Sequence, residues 1–384
     1  MSGSESELDR LAEDSLDLLN GGHFQITDPG PLHAPIQCFT VRRDDKLTLT
    51  LETEADAGAT STAKTPRPGT VRFATDVVKL VNIAGVEAEL SGVIGYHLSN
   101  RDGGHSRSPL KELAQVHQLR VTPGDAGAAA FTIDWLENLP RSPFVWPDLF
   151  RTETETKTTR SIAPDNEGIT ITASRGRTST GHSAAKLTVD GLTFYVCAIH
   201  PDDSPGSIKP GCVIYTGTPD ELFRKKIRTA LSLALGLYLV DLGHTIYDHD
   251  WRIVAGTARS AYSLGKRAFD LGPQPLAPLR ARTSQLVHQL HRSELTRMVV
   301  ALVSAFDELD LANLSWAYWH ACAATVHIAP AHFGAAIEAL QRAYVKAHPE
   351  GIMTTIVPRE QWNPLADTLT TVVQKSGRRA PDFG

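Results

Sequence analysis

Apolar and polar residues alternate with a period of two through much of the first half of the chain, and with the helical period through the second. The start is an exception: Leu8, Leu11, Ala12, Leu16 and Leu19 recur at helical spacing among acidic residues. That pattern predicts a short amphipathic helix over Ser4–Leu19, ended by Gly21 and Gly22. From Ile36 to Val121 the period is that of strands. Lys46–Glu52 alternates strictly, and Val77–Ile83 and Val86–Tyr96 are rich in branched residues. The Gly, Pro and small polar residues of Gly58–Gly69 and Ser99–Pro109 predict loops between these strands. Phe131–Phe150 concentrates Trp, Phe and Pro and predicts an irregular segment packed over the sheet by its rings. The Thr- and Arg-rich stretch Arg151–Lys186 reads as an exposed edge strand or a mobile connection, and Leu192–Ile199 as a buried strand.

The change of period falls at Gly217–Asp220, where Thr218 is the expected N-cap, Pro219 opens the first turn and Glu221 follows three residues on. A long apolar helix is expected over Leu222–Leu242, and a hairpin over Thr245–Ala255 around Asp248-His249-Asp250. Gly272–Pro278 has the composition of a linker. Two further helices are marked by the stripe in Ser284–Phe306 and by Phe333, Ile337, Leu340 and Tyr344, and a last helix by Pro358–Gln374. No internal repeat is evident, which argues against a solenoid. The expected fold class is α+β: a helix over 1–22, a β-rich recognition domain over 23–217, and an all-α domain over 218–384 with a small hairpin near 245–255.

Composition narrows the class without naming a chemistry. With 384 residues, 38 basic against 43 acidic and 41% hydrophobic, the chain is an ordinary globular protein of two or three domains, which excludes a collagenous or wholly disordered chain. The charge is unevenly divided. Residues before Pro219 carry 20 basic and 28 acidic side chains, and the remainder 18 and 15, so contact with a nucleic acid through the helical half is allowed. Cys38, Cys197, Cys212 and Cys322 form no Cys-x-x-Cys, which indicates a reducing compartment. The acidic N-terminus lacks the basic and apolar regions of a secretory signal, so a cytoplasmic protein is expected. Thr229–Val240, the most apolar segment, is too short for a bilayer that needs roughly 20 residues, and no membrane association is expected.

Phosphate-binding glycine loops, a His-Glu-x-x-His helix and a Gly-x-Ser-x-Gly elbow are all absent. Arg282 and His288 form an Arg-x5-His pattern, in which the guanidinium could hold a scissile phosphate and the imidazole move the 2′-hydroxyl proton of RNA. Arg224, Lys225, Lys226 and Arg228 lie in the first turns of a helix, where the macrodipole disfavours cations; they read as a binding surface or a solvated face. His244, Asp248 and His249 could hold a divalent ion or act as an acid/base pair, although Asp and His also favour turns for conformational reasons. Cys197, His200 and Cys212 offer three zinc ligands, with buried strand cysteines as the plainer reading. No cofactor is implied.

The order of parts resembles bacterial HEPN-associated, abortive-infection proteins of antiviral defence, with a β-rich N-terminal half before a helical half. The resemblance rests on Phe223–Gly236 running into Val240–Thr245 and Tyr247-Asp248, and on Trp316–Ala321, Phe333–Leu340, Trp135–Pro140 and Trp146-Pro147. It implies a protein that works in a homo-oligomer or protein complex. Ribonucleases of this kind carry an Arg-polar-x3–5-His motif near the C-terminus, and Ser376–Gly384 holds none, while Arg282 and His288 precede the helices expected before it. The expectation is therefore a non-enzymatic recognition or scaffold component, with a metal-independent endoribonuclease and a metal-dependent hydrolase as alternatives.

Overall fold

In the computed structural model the described residues are 19, 23–44, 47–61, 76–100, 109–122, 128–139, 144–162, 169–198, 211–261, 288–349, 362–368 and 370–371. The strands before the first helix are β1 (Gln25–Asp28), β2 (His33–Arg43), β3 (Leu49–Ser61), β4 (Val77–Val81), β5 (Glu87–Ser91), β6 (Ile94–Asn100) and β7 (Leu110–Val116). They continue with β8 (Gln118–Thr122), β9 (Phe131–Leu136), β10 (Phe144–Val145), β11 (Asp148–Ile162), β12 (Ile169–Val189), β13 (Leu192–Cys197) and β14 (Gly211–Tyr215). Helix α1 (Glu221–Leu235) is followed by β15 (Asp241–Tyr247), β16 (Ile253–Arg259) and β17 (His288–Gln289). Helices α2 (Arg292–Ser304), α3 (Leu311–Ala323) and α4 (Ala329–Ala347) complete the order, with a further helical segment over 362–368. The expected N-terminal helix, apart from Leu19, and the linker Gly272–Pro278 lie outside the described residues.

The class is α+β. One 11-stranded antiparallel sheet runs β1-β4-β5-β8-β16-β15-β9-β14-β13-β12-β11, and a 4-stranded sheet runs β2-β3-β7-β6. The strict alternation read at Lys46–Glu52 is realised over its described residues, 47–52: Leu49 and Leu51 are buried while Thr50 is half-buried. Those leucines join Val41, Val78, Leu80, Leu90, Val116, Leu119 and Val121 in a core between the small sheet and one end of the large one. At the other end, Ile227, Leu231 and Leu235 of α1 and Leu295, Val299 and Val303 of α2 pack on Leu187, Phe194, Val196, Val213 and Tyr215. A third core, with Ile133, Trp135, Cys197, Cys212, Leu242 and Tyr247, covers the opposite face of the central strands.

Three expectations change. Phe131–Leu136 is a central strand, not an irregular segment; both of its faces are covered, so a near-continuous buried run replaces the alternation. The hairpin β15–β16 does not stand apart in a helical half. It fills the gap between β8 and β9, pairing with both, so strands after residue 218 complete the sheet begun before it. The cap of helix α1 lies two residues beyond the expected Thr218, on Asp220, whose carboxylate accepts from the Phe223 N–H at 2.7 Å, and the helix stops at Leu235, short of the expected Leu242, because Gly236 takes the left-handed conformation with φ 64°. By contrast, Arg151–Lys186 does form an edge: β11 closes one side of the large sheet through its pairing with β12.

Gly243 lies where β15 shifts register against β9, at φ 122°, and a Cβ there would stand 1.9 Å from the Thr257 carbonyl oxygen. Gly243→Ala is therefore expected to destabilise the protein by more than the ~1–3 kcal/mol of an unfavourable backbone conformation alone. Gly191→Ala supplies that baseline, since Gly191 has φ 80° with nothing within 4 Å of the added Cβ. Thermal unfolding of the two variants side by side checks the difference.

Candidate functional site

Strand β9 places Ile133 and Trp135 toward one face and Thr132, Asp134 and Leu136 toward the other, beneath α1. Asp134 is 0% exposed. A carboxylate so buried needs partners, and α1 supplies them. Glu221, Arg224 and Arg228 are spaced by three and four residues, which puts them on one helix face. Arg224 donates one Nη to Asp134 Oδ1 and the other to Glu221 Oε2 at 2.5 Å. Arg228 donates to Asp134 Oδ2 at 2.6 Å and to Glu221 Oε1 at 3.0 Å, and Tyr215 on β14 donates its hydroxyl to Asp134 Oδ2 at 3.2 Å. From β16, Arg259 donates to Asp241 Oδ2 at 2.7 Å and to Glu221 Oε1 at 3.1 Å. Three carboxylates thus meet three guanidiniums across α1, β9, β15 and β16.

Titration follows this arrangement. Burial pushes the Asp134 carboxyl above the usual carboxylate range, with Arg228 and Arg224 pulling against it. Burial also acts against the charge of Glu221, but Arg228, Arg259 and Arg224 outweigh it and bring that carboxyl to about 2. His244 on β15 is brought down to about 3, first by burial and then by Arg224, and its Nδ1 has no hydrogen-bond partner. Glu137, in the turn after β9, is raised to about 7 by burial, with Arg43 opposing. The cluster is a closed ionic knot in which each guanidinium is committed to carboxylates. Its chemistry is that of fastening.

The sequence-derived candidates scatter. Arg224 and Arg228 are not a binding surface: their side chains are 5% and 12% exposed and are held by Asp134 and Glu221. Lys226 pairs with Asp307 and lies 5.4 Å from the centre of the Phe306 ring, while Lys225 is exposed. His244, Asp248 and His249 do not converge, since His244 sits mid-strand, roughly 13 Å along the chain from Asp248. Asp248 is a turn residue whose carboxylate accepts from the N–H groups of Asp250 and Arg252 at 2.8 and 2.9 Å. The exposed His249 meets the Phe131 ring edge-on. Arg282 lies outside the described residues, and the backbone of His288 pairs in parallel with Phe144.

Cys197 and Cys212 face each other across β13 and β14 as buried free thiols, and the hydrogen bond to Cys197 together with burial raises the Cys212 thiol further; His200 lies outside the described residues. Among the described residues no group of three or more His, Cys, Asp or Glu could hold a metal ion, and no helix is long and apolar enough to cross a membrane. Sequence reasoning missed Asp134, Tyr215, Asp241 and Arg259. The available signal was a lone carboxylate inside the apolar run Phe131–Leu136.

Removing the buried carboxylate leaves two guanidiniums without their shared partner, so Asp134→Ala is expected to cost about 3–5 kcal/mol in urea unfolding. For His244 the folded value lies below the ordinary 6.5, so the unfolded chain takes up the proton first and this residue weakens the fold as pH falls from about 6.5 to about 3. His244→Gln should therefore gain on the wild type over that window. Glu137 has the opposite sign: its stabilisation is complete below 4.5 and is lost as pH rises through about 7, so Glu137→Gln should gain on alkalinisation. Unfolding free energies measured from pH 3 to pH 8 check both slopes. Compared with known protein families and with curated proteins, the chain matches none.

Proposed function

We propose that the chain is a non-enzymatic recognition and scaffold component, in which the β-rich part meets a partner and the helices after β17 assemble with a second copy of the chain. A cytoplasmic setting in prokaryotic antiviral defence is part of the reading and rests on the resemblance to HEPN-associated abortive-infection proteins. The observation that carries the assembly is α4. Of its 19 residues Ala336 is the buried one, while Phe333, Ile337, Leu340 and Tyr344 are 37%, 57%, 38% and 55% exposed. Their spacing of 4, 3 and 4 is that of a helix–helix seam, which is completed by another helix.

A second copy fits the area as well as the spacing. The stripe, with Val345 and the nearby Val326 and Ile328, exposes on the order of 700 Å2 if a large side chain offers ~200 Å2. That approaches the ~800 Å2 per partner of a standard interface and exceeds the usual single patch of a monomer, ~300–600 Å2. A two-fold axis between Ile337 and Leu340 would set Phe333 of one helix opposite Tyr344 of the other, so one sequence supplies both sides.

The wild type is expected to sediment as a dimer at micromolar concentration, and Ile337→Asp with Leu340→Asp as a monomer of unchanged circular dichroism, because both side chains are exposed. The dissociation constant should rise by roughly tenfold or more, as for loss of central apolar contacts. A wild type that sediments as a monomer, or a double variant that remains a dimer, overturns the assembly.

A further inference from the structure

Strands β13 and β14 carry Cys197 and Cys212 on the same rung. The type of that rung follows from two backbone bonds. The Thr216 N–H donates to the Thr193 carbonyl at 3.2 Å, and the Ala198 N–H donates to the Ser183 carbonyl on β12 at 2.7 Å. Hydrogen-bonding direction alternates along a strand, so Cys197 turns its own N–H and C=O toward β14 and forms a hydrogen-bonded pair with Cys212. Such a pair sets the Cα atoms about 5.5 Å apart, inside the ~4.4–6.8 Å that a disulfide spans. Opposite side chains share a face, here the one that packs Trp135 and Tyr247, and the Cys212 thiol is hydrogen-bonded to Cys197. Both thiols are free, on residues 3% and 0% exposed. Ala or Val would also fill an apolar core, so what this rung adds is the chemistry of two adjacent sulfurs.

We infer that Cys197 and Cys212 are a redox-sensitive latch, which hydrogen peroxide closes into a disulfide between β13 and β14 and a dithiol reopens. The Cys197 sulfur attacks the O–O bond; a sulfenic acid forms, and the departing hydroxide leaves as water with the thiol proton. Cys212 then displaces the hydroxyl from that sulfur, forming the S–S bond and releasing a second water with its own proton. Two electrons pass from the sulfurs to the peroxide. A dithiol reverses the bond by exchange and leaves as its own disulfide. Burial and the hydrogen bond to Cys197 raise the Cys212 thiol, which makes it the resolving partner. The rung is the final one between β13 and β14 among the described residues, and ladder ends open at lower cost than their middles, which gives the peroxide its access. The same position accommodates the approach of the Cβ atoms from ~5 Å to ~4 Å that the bond requires. The exposed Cys38 faces Glu54 and the half-buried Cys322 lies on α3, so of the four cysteines only this pair shares a rung.

The test is peptide mapping by mass spectrometry of the full, folded chain after hydrogen peroxide, run beside thermal unfolding. The wild type should yield the peptides of Cys197 and Cys212 joined with loss of two hydrogens, migrate as a single chain in denaturing electrophoresis, and regain all four thiols with dithiothreitol. Closing the loop between the two residues should raise the unfolding midpoint by about 3–5 °C. Cys38→Ser with Cys322→Ser keeps the pair and should respond in the same way. Cys197→Ala and, separately, Cys212→Ala should lose both the cross-link and the rise, each compared with its own reduced state so that the cost of the substitution cancels. Oxidation of Cys38 with the pair still reduced, sulfinic acid at Cys197 in place of the disulfide, cross-links between chains only, or a midpoint unmoved by the bond each overturns the inference.

Discussion

Asp134 carries a carboxylate in the middle of an 11-stranded sheet with no exposed surface, and the surrounding architecture is the answer to that charge. An ion taken out of water without a partner costs several kcal/mol, more than most single packing contacts return. Arg224 and Arg228 meet it from one helix face, which fixes both the height and the rotation of α1 over β9. Glu221 then has to balance the second guanidinium, and Arg259 with Asp241 balances Glu221 in turn. Each step recruits another element, so the knot closes only when β15 and β16 lie beside β9. The helix could not be shifted by a turn, nor the hairpin removed, without leaving a charge unmatched.

Local chemistry was legible in the sequence to the extent that its cause was local. The alternation along Leu47–Glu52, the Asp248 turn and the apolar stripe of α4 all follow from neighbours a few residues apart. What failed were features decided by partners far along the chain. Arg224 and Arg228 look like a surface patch because the residue that binds them is 90 and 94 positions away. The hairpin near 245–255 looks like a local ornament because both strands that receive it, β8 and β9, lie more than a hundred residues earlier. The aromatic density of Phe131–Phe150 suggests packing over a sheet, but nothing local tells the surface of a sheet from its centre.

The uneven division of charge is changed in meaning by the same contacts. The basic excess after Pro219 includes Arg224 and Arg228, and the acidic excess before it includes their partner Asp134. Part of the apparent polarity between halves is therefore internal neutralisation, spent on joining them. A net charge counted along the chain overstates what a partner would meet, because buried ions contribute to the count and not to the surface field.

The backbone pairing of β11 with β12 is long, and its one irregularity lies at its base. Between Leu149 and Ile162 the ladder with β12 continues without a shift, after the single irregularity at Asp148. The irregularity at Asp148 shifts the register there, so the parity that buries Ala185, Leu187 and Val189 under α1 and α2 belongs to the stretch of β12 that also pairs with β13. The inner part of β12 thus answers to the core and to β13, and the outer part to its backbone pairing with β11.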